Sequence, residues 1–445
     1  MKARLPVAVI FVAMILTSLF VILAPNGSAS PAVSLPISIE NDAGLTSQAQ
    51  TNGWPGNGTV SNPYIIADLA INAGGAAHSA IYIIGTDAHV TIESCTISDT
   101  TYGIYISDAS NLTIQSNTLS TSYGVFLVNT INSTISANTI TGSGDGIRLG
   151  SSSHITISKN TVSSEGDDGI HLDVDTSYIT VDNNTVNNPA YEGVYSDGSD
   201  NSISFNNVDN AQDCGILLDT DTSNNLVSNN TITDAAAEGI YSNGTNNQII
   251  GNAVTSAGDS GIWMDIGASY DTATVNAISS PANEGIYSDG KSNTISSNTI
   301  SNAGDYGIYL DGDSYANTVN NNNISDAASG GISSAGTNNL ISDNTVSSKP
   351  LLSGNDLVII GVVILILIVL IIVALLFFFR RRKSPSTQSR PYEPMREPVG
   401  PSLPPVKPQQ QNDQTSQTGT KFCPYCGSPL ADSAVFCMSC GNRVK

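Results

Sequence analysis

Four cysteines close to the C terminus have the spacing of metal ligands. Cys423 and Cys426 form one Cys-x-x-Cys pair, and Cys437 and Cys440 form a second, with ten residues between the pairs. Two such pairs, each followed by glycine, bring four thiolates around a tetrahedral Zn²⁺ ion. Since four protein ligands leave no open coordination position, the predicted zinc is structural and holds a small unit together. We expect residues 421–445 to form a zinc ribbon that binds a partner protein.

A second group of side chains could perform acid–base chemistry. Asp167, Asp168 and His171 lie within five residues of one another, and Arg148 lies about one repeat earlier. Hydrolysis of a sugar linkage requires two positioned carboxyl groups, one of them protonated, so these four residues are the candidates for catalysis. An acidic pair in front of a glycine is more often a solvated turn, and catalysis is therefore the alternative interpretation.

Aromatic residues recur two positions after a repeated glycine, and aspartates recur four positions after it. The two series suit a sugar polymer, because sugar rings stack on aromatic side chains and donate hydrogen bonds to carboxylates. The predicted ligand-binding residues are Tyr195, Tyr241, Trp263, Tyr287 and Tyr309, together with Asp219, Asp265 and Asp311. Outward aromatic residues also stabilise neighbouring strands of a stacked sheet, and this structural interpretation is equally open.

Pairs of aspartates suggest a second type of ligand. Asp-x-Asp pairs recur in alternate repeats, at Asp173 and Asp175, Asp219 and Asp221, and Asp311 and Asp313. Their oxygen ligands suit Ca²⁺, although solvated acidic turns are the commoner use of such residues. The same region contains seven Asn-x-Ser/Thr acceptor sites for glycosylation, at Asn57, Asn111, Asn132, Asn183, Asn229, Asn243 and Asn323.

A repeat of 21 to 24 residues must position these side chains. A Gly-apolar pair recurs eleven times from Gly103 to Gly331, and Ala80 extends the series by one copy. An asparagine recurs beside it, at Asn117, Asn138, Asn160, Asn184, Asn207, Asn230, Asn252, Asn276, Asn298, Asn322 and Asn344. This period fits three short strands per coil and about 12 coils between Ala80 and Ser348. We expect asparagine and glycine to occupy left-handed corners, and the asparagine amides to stack in a ladder.

These repeats resemble the right-handed parallel β-helix repeat shared by pectate lyases, polygalacturonases, carbohydrate-binding and sugar-hydrolase repeats, and NosD-like proteins. The resemblance implies an all-β, right-handed parallel β-helix over residues 80–350, with residues 30–79 as an N-terminal cap and first segment. Gly166-Asp167-Asp168 resembles the acid pair of polygalacturonases, but the Gly-His-Gly and Arg-x-Lys segments of that family are missing. Copper delivery is not expected, because the four His and five Met are scattered along the chain.

Two apolar segments predict the topology. Residues 1–29 have the charged start, apolar middle and small-residue exit of a secretory signal. Residues 357–379 contain no charged residue, are long enough to cross a bilayer as one transmembrane helix, and are followed by four basic residues. We therefore expect a single-pass protein of the cell membrane with an extracellular N-terminal region. A basic, disordered linker over residues 380–420 and the zinc ribbon would be cytoplasmic.

The charge distribution limits the partners of the outer region. Residues 31–355 contain 33 acidic and four basic residues, a balance that would repel the phosphates of nucleic acid. Cys95 and Cys214 lie five coils apart, beyond disulfide reach, and are predicted to be free. The sequence thus predicts a cell-surface protein that binds a glycan or mediates adhesion. A membrane-tethered polysaccharide lyase or hydrolase acting on acidic glycans is the alternative.

Overall fold

The computed structural model describes residues 33–75, 78–164, 166–348, 364–374, 421–422 and 429–430. The chain divides into two compact units, residues 1–356 and 357–445. In the first unit each coil contributes a short strand to each of three parallel sheets, which we name A, B and C. The unit is therefore a parallel β-helix, as predicted.

The strands of the three sheets follow one another in the order A, B, C along each coil. Sheet A comprises Ile37–Ile39, Ser79–Ile84, Tyr102–Ser110, Tyr123–Ser136, Ile147–Gly150, Ile170–Leu172, Val194–Ser196, Ile216–Leu218, Ile240–Ser242, Ile262–Met264, Ile286–Ser288, Tyr306–Leu310 and Gly330–Ser334. Sheet B comprises Tyr64–Ala67, Val90–Glu93, Leu112–Gln115, the end of Tyr123–Ser136, Ser153–Ser158, Thr180–Asp182, Ser202–Ser204, Leu226–Ser228, Gln248–Ile250, Thr272–Thr274, Thr294–Ser296, Thr318–Asn320 and Leu340–Ser342. Sheet C comprises Val33–Ser34, Ala70–Asn72, Thr96–Ser98, Thr118–Ser120, Thr139–Gly142, Thr161–Ser164, Thr185–Asn187, Asn207–Asp209, Thr231–Thr233, Ala253–Thr255, Ala277–Ser279, Thr299–Ser301, Asn323–Ser325 and Thr345–Ser347.

The number of coils agrees with the repeat. Twelve strands of sheet A run from Ser79–Ile84 to Gly330–Ser334, and one further coil precedes them. Ile81 pairs with Ile104, which places Ala80 at the position of the repeat glycine and confirms that prediction.

The core is built by alternation along strands that are mostly three residues long. The outer two side chains of a sheet A strand point inward, whereas the middle side chain points inward in sheets B and C. In one coil, Ile216, Val227 and Ile232 are at most 1% exposed. Burial of one such side chain contributes roughly 1.5–3 kcal/mol, so the three sheets are held by a continuous apolar column.

An α-helix over Asp42–Asn52 follows the first strand of sheet A and packs against it. Its first turn is capped by Asn41, whose side chain accepts a hydrogen bond from the backbone N–H of Gly44 at 2.9 Å. The helix ends at Gly53, which has φ 68°, and its Leu45 and Ala49 join the core. A helix was not predicted here, although both of its capping residues are typical helix-end signals.

The predicted asparagine ladder is present between sheets B and C. The side-chain amide of Asn117 donates to the side-chain oxygen of Asn138 at 2.9 Å, and the pattern continues coil by coil. One predicted member was wrong, because Asn206 donates to Asn230 at 3.0 Å while Asn207 is the exposed first residue of its strand. Two adjacent asparagines fit the spacing equally well, and only the pairing with the next coil distinguishes them.

A second ladder lies between sheets A and B and was not predicted. Its members accept a hydrogen bond from the backbone N–H of the preceding coil; they are Asn201, Asn225, Asn247, Asp271, Asn293, Asn317 and Asn339. Asp271 is the one acid among these seven residues and is fully buried. Two of the three corners of the coil, between sheets A and B and between sheets B and C, are thus closed by stacked polar side chains whose bonds run along the axis.

The left-handed conformation lies one residue before each ladder and not at the ladder asparagine or the repeat glycine. Asn183 and Val275, for example, have φ of 54° and 59°. The repeat glycines do not have positive φ, so that prediction was wrong. A Cβ atom on Gly239 would lie 2.3 Å from a methyl group of Val254 and 2.6 Å from the carbonyl oxygen of Gly261. Glycine is required there for space, not for backbone freedom.

The second unit is described in two short parts. Residues 364–374 form a helix with exposed side chains, and the rest of the predicted transmembrane segment, 357–379, lies outside the described residues. Among the described helices, none has both the length and the apolar character needed to cross a membrane. Lys421–Phe422 pairs antiparallel with Pro429–Leu430, and the sequence between these strands contains Cys423 and Cys426. The predicted signal, residues 1–29, and the linker, residues 380–420, also lie outside the described residues.

Candidate functional site

The middle residues of the sheet A strands form one continuous outer face. Register places them in a single row along the axis, comprising Tyr82, Tyr105, Phe126, Arg148, His171, Tyr195, Leu217, Tyr241, Trp263, Tyr287 and Tyr309. We call this row the outer face of sheet A. It includes all five predicted aromatic residues, each of which is half-buried.

Most ring contacts on the outer face form two groups, which also include tyrosines placed directly before a repeat glycine. The N-terminal group contains Tyr82, Tyr102, Tyr105, Tyr123 and Phe126, and the C-terminal group contains Tyr241, Trp263, Tyr287, Tyr306 and Tyr309. Trp263 meets Tyr287 edge to face, with ring centroids 5.2 Å apart. Between the groups the row holds Arg148, His171, Tyr195 and Leu217, and the rings of His171 and Tyr195 stack on each other with centroids 4.5 Å apart.

The predicted aspartates hold the polar tips of these rings. The hydroxyl of Tyr195 donates to Asp219 on the next coil at 2.5 Å, and Tyr287 donates to Asp311 at 2.7 Å. Tyr241 donates to Asp265 in the same way. Burial and the bonded carboxylate raise the pKa of all three tyrosines, so their hydroxyls remain donors at physiological pH. Each of these three rings is therefore fixed by a hydrogen bond to a residue 24 positions later in the chain.

A charged centre interrupts the row between Phe126 and Tyr195. Arg148 donates to Asp173 at 2.7 and 3.0 Å and to Asp145 at 3.1 Å. His171 contacts Asp168 through Nδ1 at 2.6 Å and Asp173 through Nε2 at 3.0 Å. The side chains of Asp145 and Asp168 lie beneath and are buried, with exposures of 0% and 4%. Above them, Arg148 is 33% exposed, His171 17% and Asp173 23%. Both cations of the outer face are therefore fully paired.

Contacts within the charged centre shift the pKa values of its histidine and aspartates in different directions. Burial opposes the charge of His171, but hydrogen bonds to Asp168 and Asp173 outweigh it and raise its pKa to about 9. The pKa of Asp173 is lowered, because His171 and Arg148 outweigh its burial. Burial raises the pKa of Asp145 to about 6, with His171 acting in the opposite direction. At neutral pH the centre thus holds a protonated imidazole between two ionised carboxylates.

A column of mostly acidic residues runs beside the row, at the position directly before the repeat glycines from Gly146 to Gly307. Its members are Asp145, Asp168, Glu192, Cys214, Glu238, Ser260, Glu284 and Tyr306. The backbone N–H of Glu192 donates to Asp168 at 3.0 Å. Burial and the carboxylate of Asp168 raise the pKa of Glu192, whereas the hydrogen bonds of Asp168 to His171 and Glu192 outweigh burial and lower the pKa of Asp168. Cys214 Sγ contacts the carboxyl of Glu238 at 3.2 Å.

Three of the four candidate catalytic residues meet in this centre. His171 contacts Asp168 directly, and Arg148 is joined to His171 through Asp173, which bonds to both. Asp167 acts through its charge on Asp145. Asp145 was missed by sequence reasoning, as was the coupling of Glu192 to Asp168. The sequence contains a signal for both residues: Asp145 and Glu192 directly precede a repeat glycine, as Asp168 does, so all three occupy the same position of successive coils.

Two pockets on the outer face differ in their lining. His78, Tyr82, Tyr102, Tyr105 and Phe126 line a pocket of about 360 Å³ in the N-terminal group. A pocket of about 250 Å³ in the C-terminal group is lined by Asp259, Ser260, Trp263, Asn283, Glu284 and Tyr287. The first is aromatic without a carboxylate among its described lining residues, and the second combines two rings with two carboxyl groups.

The predicted calcium ligands are mostly committed to other contacts. Asp173 is bonded to Arg148 and His171, and Asp219 and Asp311 accept from tyrosines. Asp175 and Asp221 line a groove beside sheet A together with Asp219. Calcium binding, including by Asp313, stays a prediction.

Glycosylation also stays a prediction. Of its acceptor sites, Asn57, Asn132, Asn183, Asn229 and Asn323 are exposed, and Asn111 and Asn243 are half-buried. Cys95 and Cys214 are buried and free, as predicted.

Comparison with known proteins agrees with this architecture. The family model described as "Right handed beta helix region" matches residues 79–232 and 220–359. The chain belongs to this family. No curated protein matches this member of the right-handed β-helix family in sequence.

Two solved structures are similar to the β-helix. The A-module of the mannuronan C-5 epimerase AlgE4 from Azotobacter vinelandii has a TM-score of 0.56 and 18% identity, covering 71% of this chain and 98% of that chain. Tailspike protein 3 of bacteriophage CBA120 has a TM-score of 0.52 and 13% identity, covering 75% of this chain and 62% of that chain. At this identity the similarity establishes the fold alone.

A second family model, the zinc-ribbon domain, matches residues 418–444. The matched segment contains Cys423, Cys426, Cys437 and Cys440, the four predicted zinc ligands, which lie outside the described residues. The four-thiolate set fits a structural zinc ion and leaves it no position for a substrate.

Proposed function

We propose that the outer face of sheet A binds a polysaccharide laid along the axis of the β-helix. The observation that carries this proposal is the row of half-buried rings whose hydroxyls are fixed by aspartates of the next coil. A ring that is already ordered loses little side-chain entropy when a ligand covers it, so the face is preorganised for binding. Successive rings are about 4.8 Å apart along the axis, and a polymer can therefore contact several at once.

A similar solved protein favours the same class of ligand. AlgE4 is a mannuronan C-5 epimerase, and its A-module shares the β-helix fold of this chain. Because that likeness establishes only the fold, the identity of the polymer is argued from this chain's own residues.

Retention of the full-length chain on immobilised polysaccharides tests the proposal. Trp263→Ala and Tyr241→Ala are expected to weaken retention by about tenfold each, since one stacked ring contributes about 1–1.5 kcal/mol. Tyr315→Ala is the matched control, because Tyr315 is 48% exposed but lies outside the outer face. Equal retention of all three variants and the parent chain would refute binding at this face.

Processing of the bound polymer at the charged centre is a second candidate function. It is favoured by the opposite pKa shifts of Asp168 and Glu192, which place an ionised and a protonated carboxyl side by side. Such a pair is the arrangement that acid–base chemistry on a sugar linkage requires. The test is release of new reducing or unsaturated ends. Asp168→Asn should abolish release and exposed Asp200→Asn should not; absence of new ends with every retained polymer would exclude this function.

We further propose that the β-helix is displayed outside the cell by a membrane span over residues 357–379, with the zinc ribbon inside and bound to a cytoplasmic protein. The uncharged segment and the basic residues that follow it support this arrangement. Added protease should degrade the β-helix of intact cells but spare an epitope placed after Lys445.

The purified chain should contain about one zinc ion per molecule, and the Cys426→Ser variant should lose it.

A further inference from the structure

The C-terminal pocket of the outer face has a chemistry that selects among sugars. We infer that the pocket formed by Trp263 and Tyr287 is the principal sugar subsite and that it takes an amino sugar with a free, protonated amine. This inference rests on the proposed binding function and specifies its ligand.

The two aromatic walls of the pocket form a corner. Trp263 and Tyr287 lie on adjacent coils, with ring centroids 5.2 Å apart and planes inclined at 74°. Tyr287 is held by Asp311 at 2.7 Å, and the indole N–H of Trp263 points to Asp289 at 3.4 Å. A sugar ring that enters this corner can stack on one wall and touch the edge of the other. The volume of about 250 Å³ is enough for one or two sugar rings.

The polar side of the corner consists of acceptors. Ser260 donates to a carboxyl oxygen of Glu284 at 3.2 Å, and Asn283 donates to Asp259 at 2.6 Å, so both carboxyl groups are oriented by neighbours. None of the described residues that line the pocket is basic. The two cations of the outer face, Arg148 and His171, lie on other coils and are already paired.

This lining discriminates between classes of sugar by charge. A protonated amine beside Glu284 and Asp259 gains charge-assisted hydrogen bonds, which are about twice as strong as neutral ones. A uronate in the same place would set one carboxylate against two others, and the described lining offers no cation to neutralise it. An uncharged sugar would stack on the rings but leave the carboxylates without a charged partner.

The N-terminal pocket provides an internal control. It is also walled by tyrosine and phenylalanine rings, and its volume of about 360 Å³ is larger, but its described lining contains no carboxylate. If aromatic stacking alone selected the ligand, both pockets would contribute. If the carboxylates decide, only the pocket of Trp263 distinguishes an amine from its acetylated form.

The experiment measures binding of two matched oligomers to the full-length chain by calorimetry at about pH 6, because a sugar amine is less basic than a lysine amine and must be mostly protonated. The probes are a β-linked glucosamine hexamer and the same hexamer fully N-acetylated, which keeps the rings but removes the charge. A galacturonate hexamer represents the anionic class. We expect the glucosamine hexamer to bind at least about tenfold more tightly than its acetylated form, and the galacturonate hexamer not to bind.

Variants assign the selectivity to the pocket. Trp263→Ala should weaken binding of both glucosamine forms about tenfold, whereas Glu284→Gln should lower affinity for the free amine about tenfold and leave the acetylated form unchanged. Tyr105→Ala, in the N-terminal pocket, should not alter the preference for the amine.

Equal affinity for the two glucosamine hexamers, or tighter binding of the acetylated form, would overturn the amino-sugar inference while leaving the binding function intact. Loss of selectivity in Tyr105→Ala but not in Glu284→Gln would overturn the choice of pocket. No binding of any oligomer or polymer would overturn both the inference and the proposed function.

Discussion

The interior of the β-helix and the outer face of sheet A differ in how much their residue types vary from coil to coil. Inside, the same residue types recur in almost every coil: a glycine without room for Cβ, an isoleucine or valine from each sheet, and an asparagine at two of the three corners. Outside, the middle position of the sheet A strand changes from tyrosine to arginine, histidine, leucine and tryptophan. Both sets lie on the same strands, often one residue apart.

The difference shows which constraint acts on each position. An interior side chain must fit against copies of itself above and below, because coils are stacked at about 4.8 Å. An outward side chain meets solvent on one side and is free to differ as long as its polar tip finds a partner. The residues that vary on an otherwise repetitive strand are therefore the ones to examine for function.

The largest effect is expected from adding one carbon atom to the interior. Gly239→Ala would place its Cβ 2.3 Å from Val254 and 2.6 Å from the Gly261 carbonyl oxygen, so the coils must separate locally. We expect a loss of about 3 kcal/mol in the free energy of unfolding, measured by urea titration of the full-length chain. Gly312→Ala is the control, because nothing lies within 4 Å of a Cβ there. Equal stability of the two variants would mean that the interior is not close-packed at the glycine column.

A second expected effect concerns the buried acid that interrupts the second ladder. Burial raises the pKa of Asp271 to about 7, against about 4 in an unfolded chain, so the folded state retains the proton between these values. Raising the pH from 4 to 8 should therefore destabilise the fold through this residue by on the order of 3 kcal/mol. Asp271→Asn should be more stable than the parent at pH 8 and nearly equal to it at pH 4.

The converse variant checks the cause. Asn317→Asp introduces an acid at another fully buried position of the same ladder and should lower stability at pH 8 more than at pH 4. Both variants are followed by urea titration at the two pH values. A gain for Asp271→Asn that is the same at both pH values would show that ionisation of this carboxyl is not its source.

A smaller gain is expected at a strained corner. Val275 has φ 59°, a conformation that costs a branched residue about 1–2 kcal/mol and that asparagine tolerates. Val275→Asn should raise the free energy of unfolding by about 1 kcal/mol. Val60→Asn, at a residue that is also well exposed but lacks positive φ, should change it little. The comparison fails if the two variants behave alike in the same urea titration.

The smallest effect is expected on the outer face. Tyr241→Phe removes the hydroxyl that donates to Asp265 but keeps the ring, so stability should fall by about 0.5–1 kcal/mol. Tyr105→Phe is the control, because its hydroxyl has no hydrogen bond to another residue in the described part of the chain. Thermal melting followed by circular dichroism measures both. A loss as large as that of Gly239→Ala would show that the face is structural, contrary to the proposed division.

Much of the site was predictable because its residues lie at fixed offsets from the repeat glycine. Tyr241, Trp263 and Tyr287 were expected to point outward, and they do. The centre was only partly predictable: Asp168, His171 and Asp173 are close in sequence, whereas the contacts of His171 with Asp145 and of Arg148 with Asp173 join neighbouring coils. Offsets within a coil say little about which carboxylate of the next coil will meet a given cation.

The sequence by itself determined the β-helix, its number of coils, the inward and outward positions of sheet A, and the cysteine set of the zinc ribbon. These features depend on periodicity and spacing within one coil. The tertiary structure decided that Asn206 and not Asn207 joins the ladder, that the repeat glycines are needed for space, and that Asp271 stands in a second ladder. The physical reason is that these contacts join residues on neighbouring coils, more than twenty positions apart and across loops of unequal length. Their register is set by the stacking of whole coils.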